Sequence, residues 1–247
     1  MNSNHSFERW VAASSTLLAA TLFACASRPL PEAEIETGPD AEVTTDGLHR
    51  VKNPLFGDAW VKHDADFASY DKVTLDPVSV SYKRKPKATR YQGTGSNFAL
   101  TERQMEDLRR YFREAFAKEL SDSEYYELVE TPGPQVLRVA AAIIDLVIKV
   151  PTRSGAGREH VYTSSTGSMT LLMELRDALS GEILARVSDR KEARAAGHGT
   201  PSDLYYSSAV SSAEDVRRVF RRWAQILKAR LDQIHELEPT KRLEDAE

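Results

Sequence analysis

The run from Val136 to Val150 is the feature that most constrains how this chain can fold. It is almost entirely apolar and is interrupted only by Arg138, Asp145 and Lys149. A strand can be this apolar only if both of its faces are buried, which is typical of the middle of a sheet. The sequence therefore predicts a central strand here.

Four further segments have the character of strands. Residues 72–82 alternate, but Pro77 cannot donate to a ladder, so this strand is expected at an edge or with a bulge. Residues 125–129 predict a short strand. Residues 168–177 and 182–190 alternate on either side of a turn, which predicts a β-hairpin.

Two segments carry apolar residues at helical spacing. The first follows Thr101, which lies three residues before Gln104 as in a capping box. The second follows Ser212, three residues before Asp215, and is expected to end before Pro239. The apolar stripes comprise Met105, Leu108, Phe112, Ala115, Phe116 and Leu120 in the first helix, and Val216, Val219, Phe220, Trp223, Leu227, Leu231 and Ile234 in the second.

Strands grouped between two helices predict the α+β class. The expected order is β-α-β-β-β-β-α, with a mixed, mostly antiparallel sheet of about five strands and both helices on one face. Residues 51–70 are expected to wrap the domain with little regular structure. The predicted divisions are a signal peptide at 1–24, a tether at 25–48, the α+β domain at 49–238 and a polar tail at 239–247.

Cys25 is the only cysteine, and it follows an apolar stretch that is too short to span a bilayer as a helix. The run Leu22-Phe23-Ala24-Cys25 resembles a bacterial lipobox. The resemblance implies cleavage before Cys25 and acyl chains on this residue, which would anchor the protein to a membrane. Ala26 and Ser27 follow instead of an aspartate, so the resemblance implies the outer membrane. The alternative is an ordinary secretory signal.

The segment from Ala26 to about Gly47 is rich in Pro, Glu, Asp and Thr and has few large apolar residues. Such a segment buries too little surface to offset its ordering entropy, so a disordered acidic tether is expected. The whole chain carries a net charge of −4, and the acidic residues of this segment account for it, so the remainder of the chain is close to neutral. The charge therefore gives no reason to expect a nucleic acid partner.

A basic loop is the best candidate for a binding site. It contains Lys83, Arg84, Lys85, Lys87 and Arg90. In an envelope protein these side chains could bind lipid A phosphates, acidic phospholipid head groups or peptidoglycan carboxylates. The alternative is a solvated loop without a ligand.

No catalytic or metal-binding motif is present in the sequence. There is no His-Glu-x-x-His, no cysteine cluster and no Gly-x-Ser-x-Gly, so no metal, cofactor or nucleophile is predicted. The histidines outside the signal are interpreted as surface residues; they are His49, His63, His160, His198 and His235. Asp145 is expected to have a raised pKa or a buried partner such as Arg138 or Arg190.

Several sequence blocks are more specific than any single motif. They are the runs at 51–56, 65–73, 75–78, 131–134, 136–138, 180–190 and 216–224. Together they resemble the bacterial lipoprotein family DUF3313 over roughly the whole mature domain. The resemblance implies an exported lipoprotein with no known activity and no catalytic residues to carry over.

The leading hypothesis is a non-enzymatic outer-membrane lipoprotein that binds another envelope component, either a protein or an anionic polymer. A second hypothesis is an envelope hydrolase with a site in the loops 151–167 and 193–210. A third is a carrier of a small apolar molecule, which requires a cavity between the helices and the sheet. The large rings of Phe112, Phe116 and Trp223 favour a filled space there.

Overall fold

The computed structural model describes residues 30–31, 33–84, 98–148, 161–163, 167–193, 205–207 and 209–244. For residues 161–163, 193, 205–207, 209–212 and 238–244 the description covers the backbone.

The central strand is β7, Val136–Ile148, as the apolar run predicts. The remaining strands of this sheet are β1 Glu34–Ile35, β2 Leu48–Lys52, β3 Asp58–Lys62, β4 Lys72–Leu75, β5 Ser79–Tyr82, β6 Glu127–Leu128, β9 Gly167–Asp177 and β10 Ile183–Ala193. β7 pairs with β9 on one side and with β4 and β5 on the other. The order across the main sheet is β1-β2-β3-β10-β9-β7-β4-β6, with β5 beside β7.

The structure confirms the α+β class and the mixed, mostly antiparallel sheet. Within the described residues, parallel pairing joins β4 to β6 and β7, and β5 to β7. The β9–β10 hairpin is confirmed, with Glu174 opposite Arg186 in its register. A separate two-stranded sheet joins β8, Val161–Thr163, to β11, Tyr205–Ser207. The sheet is wider than the predicted five strands.

The additional strands include β2 and β3, so the expectation of little regular structure over 51–70 was wrong. These strands carry charged residues in place of a clean alternation, which hides them in the sequence. In the fold the charges have partners, because Arg50 Nη2 lies 2.8 Å from Asp58 Oδ1 and Lys62 Nζ lies 2.5 Å from Glu182 Oε1.

Pro77 divides the predicted strand 72–82 into β4 and β5. Both halves remain beside β7, and the amide of Asp76 donates to the carbonyl of Val139 at 3.0 Å. The proline thus lies at a break between two short strands, where its missing N–H costs no ladder bond.

The first helix, α1, spans Glu102–Ser121 and begins with the predicted capping box. The Thr101 hydroxyl accepts from the Gln104 amide at 3.3 Å, and the Gln104 side chain accepts from the Thr101 amide at 2.9 Å. These two bonds satisfy amides that the helix itself leaves unpaired.

The second helix, α2, spans Ala209–Glu244 and is longer than predicted at both ends. Ser212 lies inside the helix, and Asp215 accepts from Arg218 Nη1 at 3.1 Å instead of beginning the helix. Pro239 also lies inside it. A proline removes one helical hydrogen bond and crowds the preceding turn, but it need not end a helix.

Both helices cover one face of the sheet and enclose the main core. The apolar stripes predicted for α1 and α2 supply much of this core, with Phe116, Phe220 and Trp223 fully buried. The sequence periodicity therefore identified the inward faces of both helices correctly.

A β-bulge explains Asp145. The pairing of β7 with β9 shifts by one residue between Ile144 and Val147, and Asp145 has a positive φ of 53°. Aspartate tolerates this left-handed conformation better than most residues. Gly167 pairs with Ile148 just beyond the bulge, and a Cβ atom there would lie 2.3 Å from the carbonyl oxygen of Val147.

The suggested partners of Asp145 lie elsewhere in the structure. Arg138 pairs with Asp76 at 2.7 Å, and Arg190 donates to Ser168 Oγ at 3.0 Å. The expectation of a buried ion pair between Asp145 and either arginine was wrong. A bulge breaks the regular alternation of faces, so a position inside an apolar run need not be buried.

Part of the predicted tether is ordered against the domain. β1 pairs with β2, and the acidic side chains of Glu34, Glu42 and Asp46 pair with Lys52, Arg50 and Arg186 respectively. Composition correctly indicates that this segment buries little apolar surface. It does not reveal that its carboxylates and backbone meet basic side chains and a free sheet edge. The expectation of disorder was therefore wrong for the described part of this segment.

Candidate functional site

An apolar cavity of about 110 Å³ lies between the C-terminal half of α2 and the sheet. The helix contributes Ile226, Leu227, Arg230, Leu231 and Ile234 to its wall. The opposite wall includes Val51, Ala59, Val61, Met173, Leu175, Ala185 and Val187, and the segment 54–56 with Phe67 closes one side. The site therefore has walls from four strands and one helix.

Small side chains on two neighbouring strands explain the empty space. Ala59 and Ala185 both line the cavity. In the pairing of β3 with β10, Ala59 lies opposite Val187 and Ala185 lies opposite Val61, so the two alanines are diagonal neighbours. The helix residues across the cavity are aliphatic apart from Arg230. The cavity is smaller than the several hundred Å³ of a drug-sized ligand site and close to the ~150 Å³ engineered cavity that binds benzene.

Arg230 is the charged residue in this wall. Its Nη1 donates to the carbonyl oxygen of Pro31 at 2.8 Å and to Gln233 Oε1 at 2.7 Å. Both acceptors are neutral, and no carboxylate among the described residues pairs with it. Burial lowers the pKa of the Arg230 guanidinium.

The chain before β2 borders the cavity. Gln233 Nε2 donates to the carbonyl oxygen of Leu30 at 2.7 Å, and Ala33 lines the cavity itself. We call residues 30–31 and 33–36 the N-terminal strap. The strap is held at one end by α2 and at the other by the pairing of β1 with β2.

The predicted basic loop is described only at its start. The amide of Lys83 donates to the carbonyl of Leu146 at 3.2 Å, which continues the course of β5, and Arg84 follows it. Lys85, Lys87 and Arg90 lie outside the described residues, as does Cys25. The anion site and the lipidation site therefore stay predictions.

Three histidines have described positions. The rings of His49 and His63 lie 5.6 Å apart, and His235 stacks on Tyr125 at 5.2 Å. No group of three or more metal-binding side chains occurs within the described part of the chain. His160 and His198 lie outside it, although the backbones of the two loops that carry them pair through β8 and β11.

The polar side chains of the sequence blocks hold the fold together. Asp76 pairs with Arg138, joining the blocks at 75–78 and 136–138. Asp189 is 3% exposed and accepts from Trp223 Nε1 at 2.7 Å, joining the blocks at 180–190 and 216–224. These pairs fix the strands and the helix relative to one another. A structural role therefore accounts for the polar residues Asp76, Arg138 and Asp189.

Two residues of the cavity carried a signal that the sequence analysis missed. Arg230 lies three residues after Leu227 and four before Ile234, both of which belong to the apolar stripe of α2. A charge inside such a stripe is unusual, because charged residues are rarely buried without a partner. Ala185 carried a weaker signal, as a small residue in the inward row of the hairpin.

No helix in the described residues combines the length and apolar character needed to cross a membrane.

The chain belongs to the family described as a protein of unknown function (DUF3313), whose model matches residues 44–227. No curated protein matches it.

Solved structures resemble the chain only distantly. A DUF330 protein from Xanthomonas campestris is 8% identical, covers 73% of this chain and 93% of its own, and has a TM-score of 0.40. The PelC dodecamer protein from Paraburkholderia phytofirmans is 11% identical, with 66% and 90% covered and a TM-score of 0.33. A hypothetical protein from Chlamydia trachomatis is 14% identical, with 65% and 97% covered and a TM-score of 0.33. Likenesses at this level carry no conclusion about function.

Proposed function

We propose that this DUF3313 protein is a non-enzymatic envelope binding protein, held at the periplasmic face of the outer membrane by acyl chains on Cys25. The lipobox-like run ending at Cys25 supports the anchor. The polar residues Asp76, Arg138 and Asp189, which belong to the family-like sequence blocks, bind to other residues of the fold. Because these side chains serve structural contacts, they support a role without catalysis.

The observation that carries the proposal is the docking of the N-terminal strap. Leu30 is five residues beyond Cys25 and is already bonded to Gln233 of α2. Five extended residues reach at most about 17 Å. A lipid on Cys25 would thus hold the domain close to the membrane, with the part of α2 around Gln233 nearest to it.

The anchor is tested by labelling growing cells with a radioactive fatty acid and separating their membranes. The wild-type chain is expected to carry the label and to fractionate with the outer membrane. The Cys25→Ser variant is expected to lose both properties, while Ser27→Ala serves as the matched control and retains them. An unlabelled wild-type chain would contradict the anchor.

The binding role is tested by proximity crosslinking in intact cells, followed by capture of the chain and mass spectrometry. One stoichiometric envelope partner, lost in Cys25→Ser, is expected. The captured component would also show whether the partner is a protein or an anionic polymer. If neither form captures a partner, the adaptor role is rejected.

A further inference from the structure

The cavity beside α2 combines two features that are rarely found together in a packing defect. Its walls are almost wholly apolar, yet the charged residue Arg230 forms part of them. Arg230 is half-buried, so its charge is partly withdrawn from water while no carboxylate among the described residues compensates it. Such an arrangement favours a ligand that supplies the missing opposite charge.

The hydrogen bonds of Arg230 indicate which of its atoms are available. A guanidinium has five N–H donors. Nη1 uses its donors on Pro31 and Gln233, whereas Nε and Nη2 have no acceptor among the described residues. The edge formed by Nε and Nη2 matches the two oxygens of a carboxylate, which binds there through two parallel hydrogen bonds.

The size of the cavity limits the apolar part of the ligand. A space of about 110 Å³ is smaller than the ~150 Å³ cavity that accepts benzene, so it suits a short alkyl group and excludes a complete long acyl chain. The lining of Ala59, Ala185, Leu231 and Ile234 offers dispersion contacts but no hydrogen bonds to such a group.

We propose that this cavity binds a small monocarboxylate with a short apolar tail. The carboxylate lies on Nε and Nη2 of Arg230, and the tail enters the space between α2 and the strands β3 and β10. The N-terminal strap forms part of the site, because Pro31 orients the Arg230 guanidinium and Ala33 lines the cavity. This inference does not depend on the lipid anchor.

The test uses calorimetric titration of the chain carrying Cys25→Ser, purified without detergent, with hexanoate as the probe. Hexanol and hexylamine have similar tails and replace the carboxylate by a neutral and a cationic group. Hexanoate is expected to bind at least tenfold more tightly than hexanol, and hexylamine is expected to bind most weakly. Equal affinity for the three probes, or no binding of hexanoate, would overturn the proposal.

Variants separate the head group from the tail. Arg230→Gln is expected to reduce hexanoate affinity to that of hexanol, whereas Arg222→Gln, an exposed arginine on the same helix, is expected to leave it unchanged. Ala185→Leu fills the cavity and is expected to abolish binding of both probes. If Ala185→Leu fails to fold, Ala59→Leu is used in its place, because it fills the same space from β3.

Two further outcomes would reject the assignment. Binding of a peptide through its C-terminal carboxylate without any binding of hexanoate would show a peptide site instead. Unchanged hexanoate affinity in Arg230→Gln would place the ligand elsewhere on the protein. Because all titrations use the unlipidated chain, a negative result leaves the tests of the anchor and of the partner unaffected.

Discussion

The two halves of the layer between the helices and the sheet are packed in opposite ways. The aromatic half contains Phe112, Phe116, Phe220 and Trp223, which are at most 2% exposed and contact one another with ring centroids 4.2 to 5.9 Å apart. The cavity half lies further along α2 and contains Ala59, Ala185, Ile226, Leu231 and Arg230 around about 110 Å³ of empty space.

This contrast separates the part of the layer that specifies the fold from the part that is available for binding. Large rings fill the space where α1 and α2 meet over the sheet. Beyond that region small residues face aliphatic ones, so the same helix leaves a gap. Two aromatic side chains of the core donate to carboxylates: Trp223 to Asp189 at 2.7 Å, and Tyr70 to Asp177 at 3.1 Å.

The largest effect is expected from Trp223→Ala in the aromatic half. Removing a fully buried ring from a filled core should lower the free energy of unfolding by about 3–5 kcal/mol. Urea denaturation monitored by circular dichroism measures this, with exposed Arg222→Ala as a control that should change little. A loss below about 2 kcal/mol would mean that this half is not the tightly packed one.

Leu231→Ala in the cavity half is expected to cost less. Leu231 is 1% exposed, but it borders space that is already empty, so truncation removes fewer contacts than in a filled core. We expect about 2–3 kcal/mol, near the lower end for buried leucines. The matched comparison is Leu120→Ala, a fully buried leucine of α1, measured under the same conditions. Equal losses in the two variants would remove the contrast between the halves.

The bond between Asp189 and Trp223 is tested by two substitutions. Asp189→Ala leaves the buried indole N–H without an acceptor, which should destabilise the protein by about 1–3 kcal/mol. Asp189→Asn retains an acceptor and should cost less, although it also loses the ion pair with Lys191 at 3.0 Å. If the two variants unfold at the same urea concentration, the hydrogen bond from Trp223 adds nothing to the stability that the negative charge of Asp189 provides.

The smallest effect concerns Tyr70, a core residue outside both halves, and the pH dependence of the free energy of unfolding. Burial and the hydrogen bond to Asp177 raise the pKa of Tyr70 to about 12. Because the folded pKa exceeds the ordinary value of about 10, this contribution is complete below pH 10 and is lost as the pH rises towards 12. We expect a loss of about 1–2 kcal/mol across this interval, less than the full linkage value because the hydroxyl retains some solvent contact.

The contribution of Tyr70 is isolated by comparing wild type with Tyr70→Phe in urea denaturation between pH 8 and pH 12. The phenylalanine variant should show a shallower decline, since the other tyrosines titrate equally in both proteins. Parallel curves would show that Tyr70 ionises as freely in the folded state as in the unfolded chain.

Much of the fold could be predicted from local periodicity. The central strand, the β9–β10 hairpin, the inward faces of α1 and α2 and the capping box at Thr101 all depend on the spacing of neighbouring residues. Strands β2 and β3 were missed because their charged residues obscure that spacing. β3 pairs with β10, which is far away in sequence, and β2 then pairs with β3.

The ends of α2 show a related limit. Ser212 and Pro239 have the residue types of a helix start and stop, yet the helix continues past both. Packing of the intervening apolar stripe against the sheet supplies most of a helix's stability, so it can override a local boundary signal.

The candidate site was the least predictable part. The sequence led us to expect that large rings would fill the space beneath the helices, which holds for the aromatic half alone. A cavity results from the volumes of side chains that meet across different elements, and Ala59, Ala185 and Leu231 are distant in sequence.

Residue patterns were enough to establish the class of the fold, the inward faces of both helices and the family to which the chain belongs. These depend on periodicity and on local residue types, which one sequence displays. Tertiary packing was needed to show that the strap docks on α2, that Asp189 meets Trp223 and that Arg230 borders an apolar cavity. Each of these depends on the meeting of distant segments, where distances and burial are set by packing of the whole domain.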